Sequence, residues 1–198
     1  MEIDIREIKS YVISLNDAVE RKQHMIQVMK LIQFYDWEFF DAVDVRNKFP
    51  YWIGCGLSHF LLLSKAKYPC FVFEDDIAPS RWGKHSINLE SDGITYLGLS
   101  SWGLKNGPCQ HMGVEFEAYD KDRVIVRHMT SAHAIYYPSK EIAQNFYEGI
   151  IKHMFETQRP FDEHYAKCQL KHKTYALKNP LFYQKCPKNE QYTYFNIG

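Results

Sequence analysis

The sequence contains one stretch, Phe71-Val72-Phe73-Glu74-Asp75-Asp76-Ile77, in which three apolar residues lead directly into three acids. An uninterrupted apolar run is typical of a strand that is buried on both faces, and such strands belong to parallel sheets. Three adjacent carboxylates repel one another, and their removal from water is costly unless a cation or a donor pairs with them. The stretch therefore predicts a buried strand that ends either in a solvated turn or at a cation site.

Predicted strands and helices alternate around this stretch, which is the pattern of an open α/β sheet. The first helix has apolar residues at helical spacing, and Asp17 with Glu20 predicts a capping box at its start. Its apolar stripe consists of Met25, Val28, Met29 and Ile32. Further helices are predicted over residues 57–66, after the cap Ser139 and near Asp162, and further strands over residues 11–15, 38–43, 94–99, 123–126, 132–137 and 181–183. We therefore predict an α/β fold with a mostly parallel central sheet that helices flank.

Composition limits the class of protein and its compartment. The 198 residues fit one domain, and 24 basic residues balance 24 acidic ones, so the charge gives no footprint for nucleic acid. No apolar run has the length of a transmembrane segment, and the charged N-terminus does not resemble a signal peptide. The five cysteines are widely spaced and form no CxxC pair, which favours a reducing compartment. We expect a single-domain cytoplasmic protein with a loop over residues 100–113 and an irregular tail.

The three acids lie where ligands bind in open α/β sheets, at the carboxyl end of a strand. Carboxylate oxygens suit Mg²⁺ or Mn²⁺, which keep several waters and share their coordination with substrate phosphates. The alternative is a solvated turn whose acids cap a helix. The pattern of residues alone leaves both interpretations open.

Several stretches, taken in order, resemble glycosyltransferase family 25, which contains lipopolysaccharide and collagen glycosyltransferases. The four main ones are Val12-Ile13-Ser14-Leu15-Asn16 followed by Arg21, Phe39-Phe40-Asp41-Ala42-Val43-Asp44, Gly54-Cys55-Gly56-Leu57-Ser58-His59 and Phe73-Glu74-Asp75-Asp76. Shorter similarities follow at residues 132–138, at Pro160-Phe161-Asp162 and at Pro180-Leu181-Phe182-Tyr183-Gln184, whereas residues 100–113 do not align. The resemblance implies a GT-A-like, Rossmann-type sandwich with a nucleotide-sugar-binding half (1–99), an acceptor-side half (100–184) and a C-terminal tail (185–198).

The resemblance also implies a role for each candidate residue. Mn²⁺ or Mg²⁺ would be held by Asp76 and Glu74, and Asp75 would contact ribose or metal-bound water. Asn16 would contact the base of the nucleotide, and Arg21 would contact its phosphates. Asp44 would contact the ribose, and Ser58 would contact further substrate oxygens. Structural interpretations stay open beside these roles: an ion pair for Glu74, solvation for Arg21, and caps or turns for Asn16, Asp44 and Ser58. We expect His59 to be a half-buried structural residue and Cys55 to be a small core residue.

An inverting transfer, which the resemblance favours, needs a side chain that takes the proton of the acceptor hydroxyl. A bound cation would make the acids at residues 74–76 poor bases, so a carboxylate elsewhere is required. Asp162 matches the late stretch of the family and has apolar neighbours in Pro160 and Phe161. Its structural interpretation is a helix N-cap, and His133 and Glu163 are the reserve candidates.

The predicted function is that of a metal-dependent hexosyltransferase. It would move a sugar from a nucleotide donor, a UDP-sugar in the first instance, to a hydroxyl of a glycan or glycoprotein acceptor. The alternatives are a metal-dependent phosphoesterase that uses the same acids, and a catalytically degenerate module that binds sugar nucleotides.

Overall fold

The computed structural model describes residues 2–80, 85–98, 114–185 and 192–193. Within these ranges the strands are β1 (Glu2–Asp4), β2 (Lys9–Ser14), β3 (Trp37–Asp41), β4 (Cys70–Glu74), β5 (Ile77–Pro79), β6 (Ser86–Asn88), β7 (Ile94–Tyr96), β8 (Glu115–Ala118), β9 (Arg123–Arg127), β10 (Ala134–Tyr137), β11 (Thr174–Leu177), β12 (Phe182–Lys185) and β13 (Tyr192–Thr193). The helices are α1 (Val19–Ile32), α2 (Tyr51–Lys65), α3 (Lys140–Tyr147), α4 (Ile150–Thr157) and α5 (Phe161–Cys168). The predicted loop over residues 100–113 and most of the predicted tail lie outside the described residues.

One eight-stranded sheet, in the order β3-β2-β4-β10-β7-β11-β9-β8, forms the centre of the fold. Three neighbouring pairs are parallel, β2 with β3, β2 with β4, and β7 with β11, and the other four are antiparallel. The predicted α/β class is confirmed, but the prediction of a mostly parallel sheet is wrong. The apolar run of β10 is buried on both faces whichever way the strand points, so its pattern carries no information on direction.

Helices cover both faces of this sheet. Tyr11 and Ile13 of β2 and Val72 of β4 face a core that α2, α3, α4 and α5 complete. The alternate residues, among them Phe71 and Phe73, face a second core that includes α1. Since successive side chains of a strand point to opposite faces, α1 lies on one side of the sheet and the other four helices lie on the other.

The predicted stripe of α1 is confirmed, because Met25, Val28, Met29 and Ile32 are all buried. The predicted cap is wrong. Helix α1 begins at Val19 after Ala18, which makes no side-chain cap hydrogen bond. The Asp17 carboxylate instead accepts a hydrogen bond from Arg46 at 2.8 Å. By contrast, Ser139 caps α3 as predicted, since its hydroxyl accepts from the backbone N–H of Ile142 at 3.2 Å.

Helix α2 begins at Tyr51, well before the predicted start at residue 57. Gly54 and Gly56 suggested a break in the pattern, but both lie inside the helix where a neighbour leaves no space for a side chain. A Cβ on Gly54 would lie 2.7 Å from the carbonyl oxygen of Val43, and one on Gly56 would collide with Met154. These glycines are therefore packing residues rather than helix breakers.

Two small sheets complete the described part of the fold. Strand β1 pairs with β6, and the order β13-β12-β5 forms the second. The predicted strand over residues 181–183 is present as β12, and it pairs with β5 directly after the three acids rather than with the central sheet. None of the helices in the described ranges is long and apolar enough to cross a membrane.

Candidate active site

The candidate site lies at the edge of the central sheet where the parallel strands β2, β3 and β4 end. The carboxyl ends of parallel strands meet at one edge, so Ser14 and Glu74 come to the same side of the molecule. Strand β10 runs antiparallel to β4 and pairs its first residue, Ala134, with Phe73. His133, just before β10, therefore reaches this edge as well.

Asp75 is buried and receives two hydrogen bonds. The Ser14 hydroxyl donates to its Oδ2 at 2.7 Å, and the Arg21 guanidinium donates to its Oδ1 at 2.8 Å. Arg21 projects from the first turn of α1, and its side chain stays 49% exposed. Two predicted substrate-contacting residues are thus in direct contact, and part of the Arg21 guanidinium remains open to an anion.

Glu74 ends β4 and points towards α2. Its Oε1 lies 3.2 Å from Nε2 of His59, whose ring is fully buried and packs on Phe161 with the ring centroids 4.6 Å apart. Burial acts to raise the pKa of Glu74, but the hydrogen bond and the charge of His59 outweigh burial and lower it. The contact matches the ion-pair interpretation of Glu74, and His59 is fully buried where the sequence predicts half-burial.

Asp76 differs from its two neighbours because one of its oxygens has no donor. Its Oδ2 accepts a hydrogen bond from the Gln184 amide at 3.2 Å, whereas its Oδ1 is buried without a partner among the described residues. Burial, followed by the charge of Glu74, raises the pKa of Asp76 to about 7. A buried carboxylate oxygen without a donor is the kind of atom that a bound cation satisfies.

The residues at this edge fit a hard cation through one protein ligand. Among the described residues no three His, Cys, Asp or Glu side chains form a group that could hold a metal by themselves. Asp76 offers one free oxygen, while Asp75 and Glu74 already have partners in Arg21 and His59. A Mg²⁺ or Mn²⁺ ion commonly takes one or two carboxylates and completes its coordination with waters and substrate phosphates.

Asp162 is the second residue of α5, and Pro160 occupies the N-cap position, so the N-cap interpretation of Asp162 is wrong. Its Oδ2 accepts a hydrogen bond from the backbone N–H of Ser131 at 3.0 Å. Burial is the main reason that the pKa of Asp162 is raised to about 6, and the negative charge of Glu74 contributes. A carboxylate that is predicted from a distant stretch therefore lies close enough to Glu74 for the charge of Glu74 to affect its pKa.

The two reserve candidates for the base have other partners. His133 is fully buried, its Nδ1 lies 2.6 Å from the Ser131 hydroxyl, and burial lowers its pKa to about 4. Glu163 forms a salt bridge with Arg159 at 3.2 Å. Asp162 therefore remains the first candidate for the base, since its pKa of about 6 lies closer to neutrality than the value of about 4 for His133.

The remaining predicted residues lie further along the same edge. Asn16 is exposed after β2 and accepts from Lys22 Nζ at 3.4 Å. Asp44 follows β3 and accepts from the backbone N–H and the guanidinium of Arg46, and the side-chain hydrogen bond from Arg46 is the main reason that its pKa falls to about 2. The position of Asp44 fits the turn interpretation.

Ser58 lies in the middle of α2 and not at a helix start, so that part of its prediction is wrong. It is fully buried, donates to the carbonyl of Gly54 at 2.6 Å and accepts from the backbone N–H of Val43 at 2.8 Å. The hydroxyl therefore fixes the chain after β3 against α2. A role in substrate binding would be indirect.

Sequence reasoning gave no role in the site to Cys55 or Gln184. Cys55 is exposed on α2, so the expectation that it is a core residue is wrong. Desolvation of its thiol, followed by the charges of Glu74, Asp76 and Asp162, raises the pKa of Cys55 to about 12. The spacing of four residues between Cys55 and His59 is the signal that predicts a shared helix face.

Comparisons with known proteins do not assign the chain to a family. No protein-family model matches the chain, and no curated protein sequence matches it either.

Proposed function

We propose that the protein is a metal-dependent GT-A glycosyltransferase that transfers a hexose from a nucleotide sugar, first of all a UDP-sugar, to a hydroxyl of a glycan or glycoprotein. One observation carries the proposal: stretches that resemble glycosyltransferase family 25 meet at a single sheet edge. Arg21 contacts Asp75, 54 residues away, and Gln184 contacts Asp76, 108 residues away. The α/β sheet with acids at the carboxyl end of β4 supports the same reaction class.

The charges at the edge suit a diphosphate. The half-exposed guanidinium of Arg21 supplies a fixed positive charge on the α1 side of the acids. A Mn²⁺ or Mg²⁺ ion held by Asp76, and by Glu74 if it turns away from His59, would neutralise charge that develops on the leaving diphosphate. Asn16 follows β2 and Asp44 follows β3, at the same edge of the sheet as the acids, and both would face the nucleoside.

The proposed reaction is a single displacement. The acceptor hydroxyl gives its proton to Asp162 while its oxygen attacks the anomeric carbon of the donor. The bond from that carbon to the diphosphate oxygen breaks, and the nucleoside diphosphate leaves with the electron pair. With a pKa of about 6, Asp162 is deprotonated at neutral pH and is still basic enough to accept the proton.

Donor turnover tests the proposal. The purified protein is incubated with UDP-, GDP- and CMP-sugars, with Mn²⁺ or with excess chelator, and release of the nucleotide is measured. We expect metal-dependent release from at least one donor, and near-complete loss of that release in Asp76→Asn. Asp36→Asn is the matched control, because Asp36 precedes β3 at the opposite edge and pairs with Lys9 at 2.8 Å.

Two other outcomes separate the alternatives. Cleavage of a phosphodiester such as bis(p-nitrophenyl) phosphate, without donor turnover, would replace the proposal by a phosphoesterase. Donor binding without any turnover would replace it by a binding module.

A further inference from the structure

One face of α2 leads from the buried acids to solvent. Tyr51, Cys55 and His59 follow one another at intervals of four residues, and residues at this spacing share a helix face. His59 reaches Glu74 at the inner end, and Cys55 is exposed beside the same acids. Tyr51 is the first residue of the helix and stands, 81% exposed, at the outer end. A rise of about 1.5 Å per residue places it about 12 Å from His59 along the axis.

This face lies on the side of the sheet that carries Asp162. Helix α2 packs against α5, where Phe161 contacts the His59 ring, and both helices belong to the core opposite α1. Arg21, the cation suited to a diphosphate, projects from α1. The α2 face is therefore on the side of the acids where Asp162 would meet an acceptor hydroxyl.

The Tyr51 ring at the end of this face is mostly exposed. Phe49, two residues earlier, is also 55% exposed, so two aromatic side chains project where the chain enters α2. A pyranose ring presents a face of C–H groups that packs on an aromatic ring, and the tyrosine hydroxyl can exchange a hydrogen bond with a sugar hydroxyl.

We propose that Tyr51 binds a pyranose ring of a saccharide acceptor by stacking, at the rim of the site and about two helical turns from the acids. The inference rests on the proposed glycosyl transfer and deepens it, because it makes the acceptor a saccharide longer than a single sugar. The sugar that receives the new bond would lie near Asp162, and the next ring would lie on Tyr51.

Saccharide binding tests the inference without relying on turnover. Saturation-transfer NMR is recorded with lactose, cellobiose and N,N′-diacetylchitobiose on the wild type, Tyr51→Ala, Tyr51→Phe and Tyr35→Ala. We expect at least one disaccharide to bind the wild type, Tyr51→Ala to weaken that binding about tenfold, and Tyr51→Phe to stay within about threefold. Tyr35 is the matched control, since its ring is 67% exposed and lies before β3 at the opposite edge. In a transfer assay with the same disaccharide, Tyr51→Ala should raise the acceptor KM far more than it lowers kcat.

The outcomes distinguish this inference from the proposed function. Unchanged disaccharide binding in Tyr51→Ala, no binding of any probe to the wild type, or a loss of UDP binding instead of saccharide binding would each overturn the role of Tyr51. Absence of donor turnover in the wild type would overturn the glycosyl transfer, whichever way the NMR result falls. Thermal melting shows whether Tyr51→Ala is folded, and an exposed residue should change it little.

Discussion

Asp162 is held between opposing influences that suit a proton acceptor. Burial and the nearby charge of Glu74 raise its pKa to about 6, while the backbone N–H of Ser131 lowers the pKa and fixes one carboxylate oxygen. The group is therefore charged at neutral pH but more basic than an ordinary aspartate.

We predict that Asp162→Asn lowers kcat by about two to four orders of magnitude, since the amide keeps the hydrogen bond from Ser131 but cannot accept a proton. The wild-type rate should rise with pH through about 6 and then level off. The residual rate of the variant should lack this step. Glu163→Gln is the control, because Glu163 is the neighbouring acid and pairs with Arg159. A variant with normal kcat would show that Asp162 is not the base.

The same raised pKa predicts an effect on stability. Between the ordinary pKa of an aspartate, 3.8, and the folded value of about 6, the unfolded chain loses the proton while the folded chain keeps it. Stability is therefore lost as the pH rises through this window, and the loss persists above it. Asp162→Asn should be more stable than the wild type at pH 8 by about 1–3 kcal/mol, and nearly equal to it at pH 4. Urea unfolding at the two pH values measures the difference, and an equal effect at both would contradict the assignment.

At the scale of elements, side-chain contacts of α2 hold this helix against the candidate site. The Ser58 hydroxyl satisfies the backbone N–H of Val43, and Gly54 lets the chain at Val43 approach the helix axis. His59, one residue further along α2, contacts Glu74. The helix therefore connects the loop after β3 with the acids after β4.

We predict that Ser58→Ala destabilises the fold by about 1 kcal/mol, because it removes the acceptor of the partly buried N–H of Val43. Chemical denaturation measures the change. Ser64→Ala on the same helix is the control, since Ser64 donates only within α2, to the carbonyl of Leu61 at 2.9 Å. Its effect should stay within about 0.5 kcal/mol. Equal losses in both variants would argue against a specific anchoring role for Ser58.

Local pattern predicts some of these elements and not others. The buried stripe of α1 and the apolar run of β4 follow from period and composition, so both are correct from the sequence. The predicted start of α2 is wrong because Gly54 and Gly56 are required by close packing against residues that are distant in the sequence, which the local pattern does not show. The direction of β10 has no local signature. At the site, the position of the acids is predictable, but the partner of Asp76 is not, because Gln184 comes from a strand that follows 108 residues later.

At the scale of the whole molecule, the two faces of the sheet would each receive one substrate of the proposed transfer. Helix α1 brings Arg21 to the acids from one face, and α2 with α5 brings His59 and Asp162 from the other. Strand β12 adds Gln184 next to Asp76. A nucleotide on the α1 side and a saccharide on the α2 side would meet above Asp76. The fold is therefore compatible with a site in which the two substrates bind from opposite faces of the sheet.

In the proposed site, the binding of the ion and the binding of the nucleotide would depend on each other. One free oxygen of Asp76 is a weak site for an ion alone, and Arg21 alone is a weak site for a diphosphate. Together they would complete one another's coordination. A ligand that binds only the folded state stabilises it by about 2.7 kcal/mol at 100 times its Kd. For a chain of this size that corresponds to a rise in Tm of about 5–10 °C.

We therefore predict that UDP and Mn²⁺ together raise the Tm by several degrees, whereas each alone raises it by less than about 2 °C. Differential scanning fluorimetry with UDP, Mn²⁺ and both ligands measures the effect. Asp76→Asn should lose the joint shift, and Asp36→Asn, whose carboxylate lies at the opposite edge, should keep it. A full shift with Mn²⁺ alone would indicate a site that the protein completes by itself. A full shift with UDP in excess chelator would instead show that the nucleotide is held by Arg21 and its neighbours, and that the free oxygen of Asp76 serves no ion.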